Sequence, residues 1–195
     1  MFLLYDLLYI IIAAKAREKY KKIYSVEIQP YFAELICRNA DMNSLAGTVL
    51  PLCNDVRSLA QADIGGECAV VLSNPPYMKK GSGITNAADE MNTARREENG
   101  TVADFCTAAT RLLRYGGYFS AVYRPDRLTE ILVSMRNAGL EPKKLVTVYP
   151  TAQSKPCLVL IEAKKGASEG IVCSRPLIIY KDKGSGEYTL DMAKI

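Results

Sequence analysis

Histidine is missing from the 195 residues. Its absence removes Ser-His-Asp hydrolysis, His-dependent zinc proteolysis and most imidazole acid–base chemistry. Paired cysteine spacing is missing too. Cys37, Cys53, Cys68, Cys106, Cys157 and Cys173 form no Cys-x-x-Cys motif and lie mostly inside apolar runs. They read as buried free thiols of a reducing, cytoplasmic compartment, with no metal expected. A full membrane span is lacking as well. Phe2 to Ala14 is almost continuously apolar, but it falls short of the roughly 20 residues that cross a bilayer, and Asp6 interrupts it. The positive residues Lys15, Arg17, Lys19, Lys21 and Lys22 follow the run rather than precede it, against the order of a secretory signal. We read a buried helix that has lost, or exchanges, its packing partner, with no stable membrane insertion.

What is present fits one α/β domain spanning residues 1–195. The length allows a sizeable core but not two comfortable domains. The chain is 49% hydrophobic and 24% charged, which argues against long disorder. Lys plus Arg number 25 against 21 Asp plus Glu, and the net charge of +4 permits contact with a polyanion without demanding it.

Short apolar runs rich in β-branched or aromatic residues predict buried strands at Val26, Val49 to Leu52, Ala69 to Leu72, Tyr118 to Val122, Leu145 to Val148 and Leu158 to Ile161. Helices are predicted between them. One follows Pro30, with Phe32, Leu35, Ile36 and Asn39 at helical spacing. A second runs from Thr101 to Arg114, with Phe105, Ala108, Ala109 and Leu112 on one side and Gly116-Gly117 ending it. A third is capped by Asp126, carries Leu128, Ile131, Leu132 and Met135, and stops at Ala138-Gly139. This alternation predicts a mostly parallel sheet covered on both faces and closed by an antiparallel pair around Val148 and Leu158. Met78 to Gly100, with Gly81 and Gly83 among mixed charges, breaks the rhythm and is expected to be a mobile, substrate-side lid or a disordered insertion.

Val70-Val71-Leu72-Ser73 runs into Asn74-Pro75-Pro76-Tyr77, at the carboxyl end of a strand, where open α/β sheets bind ligands. Two prolines stiffen the backbone and remove N–H donors, leaving carbonyl oxygens to accept from a substrate amine. An exocyclic adenine amine is a poor nucleophile because its lone pair is delocalised into the ring. The Asn74 side chain and the Pro75 carbonyl are placed to accept its hydrogens and set the nitrogen in line with a methyl donor. Tyr77 would stack on the base, worth roughly 1–3 kcal/mol. The plain alternative is a Pro-Pro turn with Asn74 capping locally.

The tetrapeptide matches the amino-methyltransferase motif. With Lys22-Ile23-Tyr24-Ser25-Val26-Glu27-Ile28-Gln29-Pro30, Ala94-Arg95-Arg96-Glu97, Arg124-Pro125-Asp126-Arg127-Leu128 and Glu141-Pro142-Lys143-Lys144, it makes nearly the whole chain resemble the bacterial methyltransferases that act on N6 of an adenine in the anticodon loop of valine tRNA. The resemblance implies a Rossmann-like α/β sheet, S-adenosylmethionine as cofactor, and RNA, in particular tRNA, as partner. It implies that Glu27, with Ile28 beside it, binds the cofactor ribose, and that Asn54 and Asp55 meet the cofactor adenine, Asp55 accepting from its amine. Asn74 would face cofactor and substrate together. Arg95, Arg96, Arg124 and Arg127 are the candidate RNA-phosphate contacts. Locally, Glu27 also reads as a surface carboxylate, Asn54-Asp55 as an Asx turn, and each arginine as a solvated charge or an intramolecular pair.

The chain departs from this family at its start. The family sheet opens with a central strand and a glycine-rich loop, whereas the first glycine here is Gly47. Met1 to Ala16 is therefore expected to correspond at best to the following helix, with first strand and loop missing through a truncated or misassigned start. Such a sheet would expose two edges and invite self-association through the N-terminal region. Two other readings follow: a catalytically impaired RNA- or partner-binding fragment, and a protein attached to a membrane through Phe2 to Ala14.

Overall fold

The computed structural model describes residues 2–3, 20–75, 100–184 and 186–194. Four strands come before the second described helix: β1 (Phe2–Leu3), β2 (Ile23–Glu27), β3 (Val49–Cys53) and β4 (Cys68–Ser73). Helix α1 (Pro30–Met42) joins β2 to β3, with Pro30 in its first turn, where a missing N–H costs nothing. Then come α2 (Val102–Leu112), β5 (Leu113–Tyr123), α3 (Leu128–Asn137), β6 (Leu140–Tyr149), β7 (Leu158–Lys165), β8 (Val172–Cys173) and β9 (Leu177–Ile178).

These strands form one sheet in the order β3-β2-β1-β4-β5-β7-β6-β8, with β9 also on β6. The pairs from β3 through β5 are parallel. β7 enters antiparallel between β5 and β6, and Val148 faces Leu158 across the predicted closing pair. The chain runs outward from β1 to β3, then returns to place β4 on the other side of β1. That reversal is a topological switch point, where the crevice beyond the strand carboxyl ends takes ligands.

The central strand is not missing. Phe2 pairs with Ser25 of β2 and Leu72 of β4, and Leu3 pairs with Ser73, so the backbone of two residues fills the place expected to be vacant. Apolar periodicity hid it, because a two-residue strand inside a longer apolar run gives no period to read. The two exposed inner edges expected of the sheet are thereby absent. Residues 4–19, which hold most of the expected N-terminal helix, and residues 76–99, which hold most of the expected lid, lie outside the described residues. Among the described residues no helix is long and apolar enough to cross a membrane.

Helix α2 contributes six buried residues to the core. Phe105, Ala108, Ala109 and Leu112, read as one face, are all buried and pack with Phe119, Ile131 and Met135 in a single cluster. Its start is a capping box: Thr101 N–H donates to Asp104 Oδ2 (2.7 Å), while Thr101 Oγ1 accepts from Asp104 N–H (3.4 Å). Its end corrects the sequence reading. The helix stops at Leu112, and Gly116-Gly117 lies inside β5, not at a helix end. A Cβ at Gly117 would sit 2.9 Å from the Arg114 carbonyl oxygen and 3.1 Å from that of Ala69 in β4, so close backbone approach requires the glycine. Lys165 Nζ takes over as terminator, donating to the Thr110 and Leu113 carbonyls.

Two smaller expectations also change. Asp126 does not cap α3, because its carboxylate is held by Arg124, and the helix begins at Leu128 with no side-chain cap. The cysteines are unpaired, but Cys37, Cys53, Cys157 and Cys173 are exposed and only Cys106 is fully buried. Burial pushes the Cys106 thiol up to about 12.

Candidate functional site

Four loops leave the carboxyl edge of the parallel strands, and they carry the residues singled out in the sequence. Glu27 ends β2, Asn54-Asp55 follows β3, Asn74-Pro75 follows β4 and Arg124 follows β5. Register fixes their spacing. Ser25 and Leu72 both pair with Phe2, so Glu27 and Asn74 each stand two residues beyond the same rung, on either side of β1. Two strand spacings separate their backbones, roughly 10 Å, with β1 running between them.

Glu27 is not the surface carboxylate of the plain reading, for it is 5% exposed. Its Oε1 accepts the Gln29 N–H at 2.9 Å, and its main-chain carbonyl accepts the Asn54 N–H at 3.1 Å, tying the β2 and β3 loops together. Desolvation raises its carboxyl above the ordinary 4.5, against the lowering effect of the Gln29 and Ile28 N–H groups. A buried carboxylate eased by two backbone N–H groups among the described residues suits a ligand that brings donors of its own, such as vicinal hydroxyls.

Asp55 and Asn54 form the local turn foreseen as the alternative, and Asp55 is additionally ion-paired. Asn54 Oδ1 accepts from Asp55 N–H (2.8 Å) and from the Ser58 hydroxyl (3.1 Å). Asp55 Oδ1 accepts from Arg57 N–H (2.8 Å) and Arg57 Nε (3.0 Å). Its Oδ2 accepts from Arg57 Nε (2.9 Å) and Nη2. The Arg57 guanidinium beside it holds this carboxyl below the ordinary 3.8. Arg57 was not singled out in the sequence; the Asp-x-Arg spacing was the available signal.

At the β4 end, Asn74 is half-buried and Pro75 buried, while Pro76 and Tyr77 lie outside the described residues, as do Arg95 and Arg96. Ser73, just before the tetrapeptide, and Ser25, two residues before Glu27, are buried with hydroxyls that have no hydrogen-bond partner among the described residues. At the β5 end, Arg124 makes a two-point pair with Asp126 (2.9 and 2.9 Å). Arg127 pairs with Glu130 (2.6 and 2.7 Å) and lies 5.6 Å over the Tyr123 ring. Both arginines are thus intramolecular pairs, the plain reading offered for them. Among the described residues no group of three or more His, Cys, Asp or Glu side chains could hold a metal ion.

No family model and no curated protein matches the sequence. Solved structures do match. A predicted O-methyltransferase, Atu636 from Agrobacterium tumefaciens, aligns over 99% of this chain and 86% of its own, with TM-score 0.72 and 20% identity. The chain has the class I methyltransferase fold. The candidate RNA methyltransferase PH1948 from Pyrococcus horikoshii aligns over 84% of this chain and 73% of its own (TM-score 0.55, 15% identity). The candidate class I S-adenosylmethionine-dependent methyltransferase lmo1582 from Listeria monocytogenes aligns over 90% of this chain and 58% of its own (TM-score 0.55, 13% identity).

Proposed function

We propose that this chain transfers a methyl group from S-adenosylmethionine to the N6 amine of an adenine in RNA, with tRNA as the substrate class, in the cytoplasm. One observation carries the reading: Glu27, Asp55 and the Asn74-Pro75 turn lie on the same edge of the sheet, beside its topological switch point. Similarity in fold to a candidate RNA methyltransferase supports it, and the Asn74 to Tyr77 tetrapeptide supplies the amine specificity.

The acceptor set fits the cofactor. Glu27 would accept from the two ribose hydroxyls with Ile28 beside it, and Asp55, beside Asn54, would accept from the adenine amine. The cofactor supplies a methyl group made electrophilic by its sulfonium. The chain's own residues do the rest. Asn74 Oδ1 and the Pro75 carbonyl accept the two hydrogens of the substrate amine, which turns the nitrogen lone pair toward the methyl carbon. Tyr77 stacks on the base. Neither an amide nor a carbonyl oxygen is a base, so the proton that the methylated nitrogen sheds passes to water. The base must be unpaired or flipped out to reach the turn. Arg95, Arg96, Arg124 and Arg127 meet phosphates, the last two by exchanging Asp126 and Glu130 for phosphate oxygens.

Calorimetric titration with S-adenosylmethionine tests the cofactor half. Micromolar binding by the wild type, lost in Glu27→Ala and Asp55→Ala, is the expected result. No heat from folded protein overturns it. A second reading, an RNA-binding protein without methyl transfer, draws on the lack of glycine in the sequence between β1 and β2. It predicts salt-sensitive RNA binding that is indifferent to cofactor.

A further inference from the structure

The loop after β3 is held from below by a residue to which no role has been given. Arg111, half-buried near the end of α2, directs its guanidinium at this loop rather than at a carboxylate. Nε donates to the Leu59 carbonyl at 2.8 Å, and Nη2 donates to the carbonyls of Val56 at 2.9 Å and Arg57 at 3.2 Å. The stitch is returned, since Gln61 Nε2 donates to the Arg111 carbonyl at 2.8 Å. Val56 and Leu59 are buried in the same cluster as Phe105, Ala109 and Leu112. The Val56 and Leu59 side chains and the carbonyls of Val56, Arg57 and Leu59 are therefore tied to α2. Asp55 and Arg57 pair with each other in the same turn.

We propose that Arg111 is a positioning residue for cofactor-base recognition: its three bonds to the 56–59 carbonyls fix the turn that presents the Asp55 carboxylate to an adenine amine. This rests on the reading of Asp55 given above. The planar fork is what the task needs. A lysine at the same place keeps the charge but satisfies the three carbonyls less directionally, so the turn gains freedom while its apolar anchors keep it folded. The consequence is specific to the edge of the base that Asp55 meets. S-inosylhomocysteine carries a carbonyl oxygen where S-adenosylhomocysteine carries the amine, and that oxygen faces a carboxylate with two acceptors opposed.

The experiment measures dissociation constants of both ligands for the full chain, for Arg111→Lys and for the milder Gln61→Ala, with thermal melting to establish folding. The wild type is expected to prefer S-adenosylhomocysteine. Arg111→Lys is expected to bind it about tenfold more weakly, as loss of one charge-assisted hydrogen-bonded contact implies, and to lose most of that preference. Gln61→Ala shifts both quantities in the same direction by a smaller factor and carries the test should Arg111→Lys fail to fold. A folded variant with unchanged affinity and preference overturns the assignment. So does equal weakening for both ligands, the mark of a merely structural role. A wild type that binds neither ligand, or shows no preference, instead defeats the underlying reading of Asp55.

Discussion

Glu27 is the residue whose environment makes the sharpest demands. Its carboxyl titrates above 4.5 because burial disfavours the charge. Between 4.5 and that raised value the folded state binds more protons than the unfolded one, so stability falls as pH rises through this window. Glu27→Gln is therefore expected to be more stable than wild type at pH 7, with the gap closing below pH 4.5 in urea unfolding curves, while losing cofactor affinity. The ionised form is the one that accepts two hydroxyls, so wild-type affinity should fall as the pH drops through the raised value. Asp55 differs. Arg57 brings three hydrogens to its carboxylate, the main-chain N–H, an Nε–H shared by both oxygens and an Nη2–H, so an adenine amine has to compete with that pairing. Arg57→Ala should tighten S-adenosylmethionine binding severalfold by calorimetry. Weaker binding would show that Arg57 orients the acid instead of competing for it.

Among the elements, α2 and β5 show what a sequence reveals and what it hides. Phe105, Ala108, Ala109 and Leu112 are legible as one buried face because a single helix period sets their positions. Where the helix ends was not legible: Leu113 continues the apolar run, and the termination comes from Lys165, distant in sequence. Gly116-Gly117 looked like a stop, yet Gly117 answers to the Ala69 carbonyl in the neighbouring strand. Gly117→Ala is accordingly expected to destabilise the fold by about 1–3 kcal/mol, the usual cost of overpacking. Thr101→Ala, which removes one half of the capping box, should cost about 1 kcal/mol. Both are read from chemical denaturation; a neutral Gly117→Ala would contradict the close approach. Among the candidate site residues, the strand-end placement of Asn74 and Glu27 was legible because a tetrapeptide and a strand-end acid are local signals. Arg111 and the strand at Phe2–Leu3 were not, because only the folded sheet brings them to their partners.

At the scale of the molecule, the order β3-β2-β1-β4-β5-β7-β6 sets four loops on one edge, so residues scattered from Glu27 to Arg127 come to a common rim. That rim holds Glu27 and the Asp55–Arg57 pair toward β2 and β3, and the Arg124–Asp126 and Arg127–Glu130 pairs toward β5. Arg124 and Arg127 pair with Asp126 and Glu130, and the proposed RNA binding is expected to weaken with salt in proportion to the phosphates such arginines neutralise. The most direct measurement is mass spectrometry of nucleosides after unmodified tRNA is incubated with the full chain and trideuteriomethyl S-adenosylmethionine. Deuterated N6-methyladenosine formed by the wild type and lost in Asn74→Ala is the predicted result. No label in RNA from folded protein that binds the cofactor, or label on a ribose oxygen or a ring nitrogen, would contradict it.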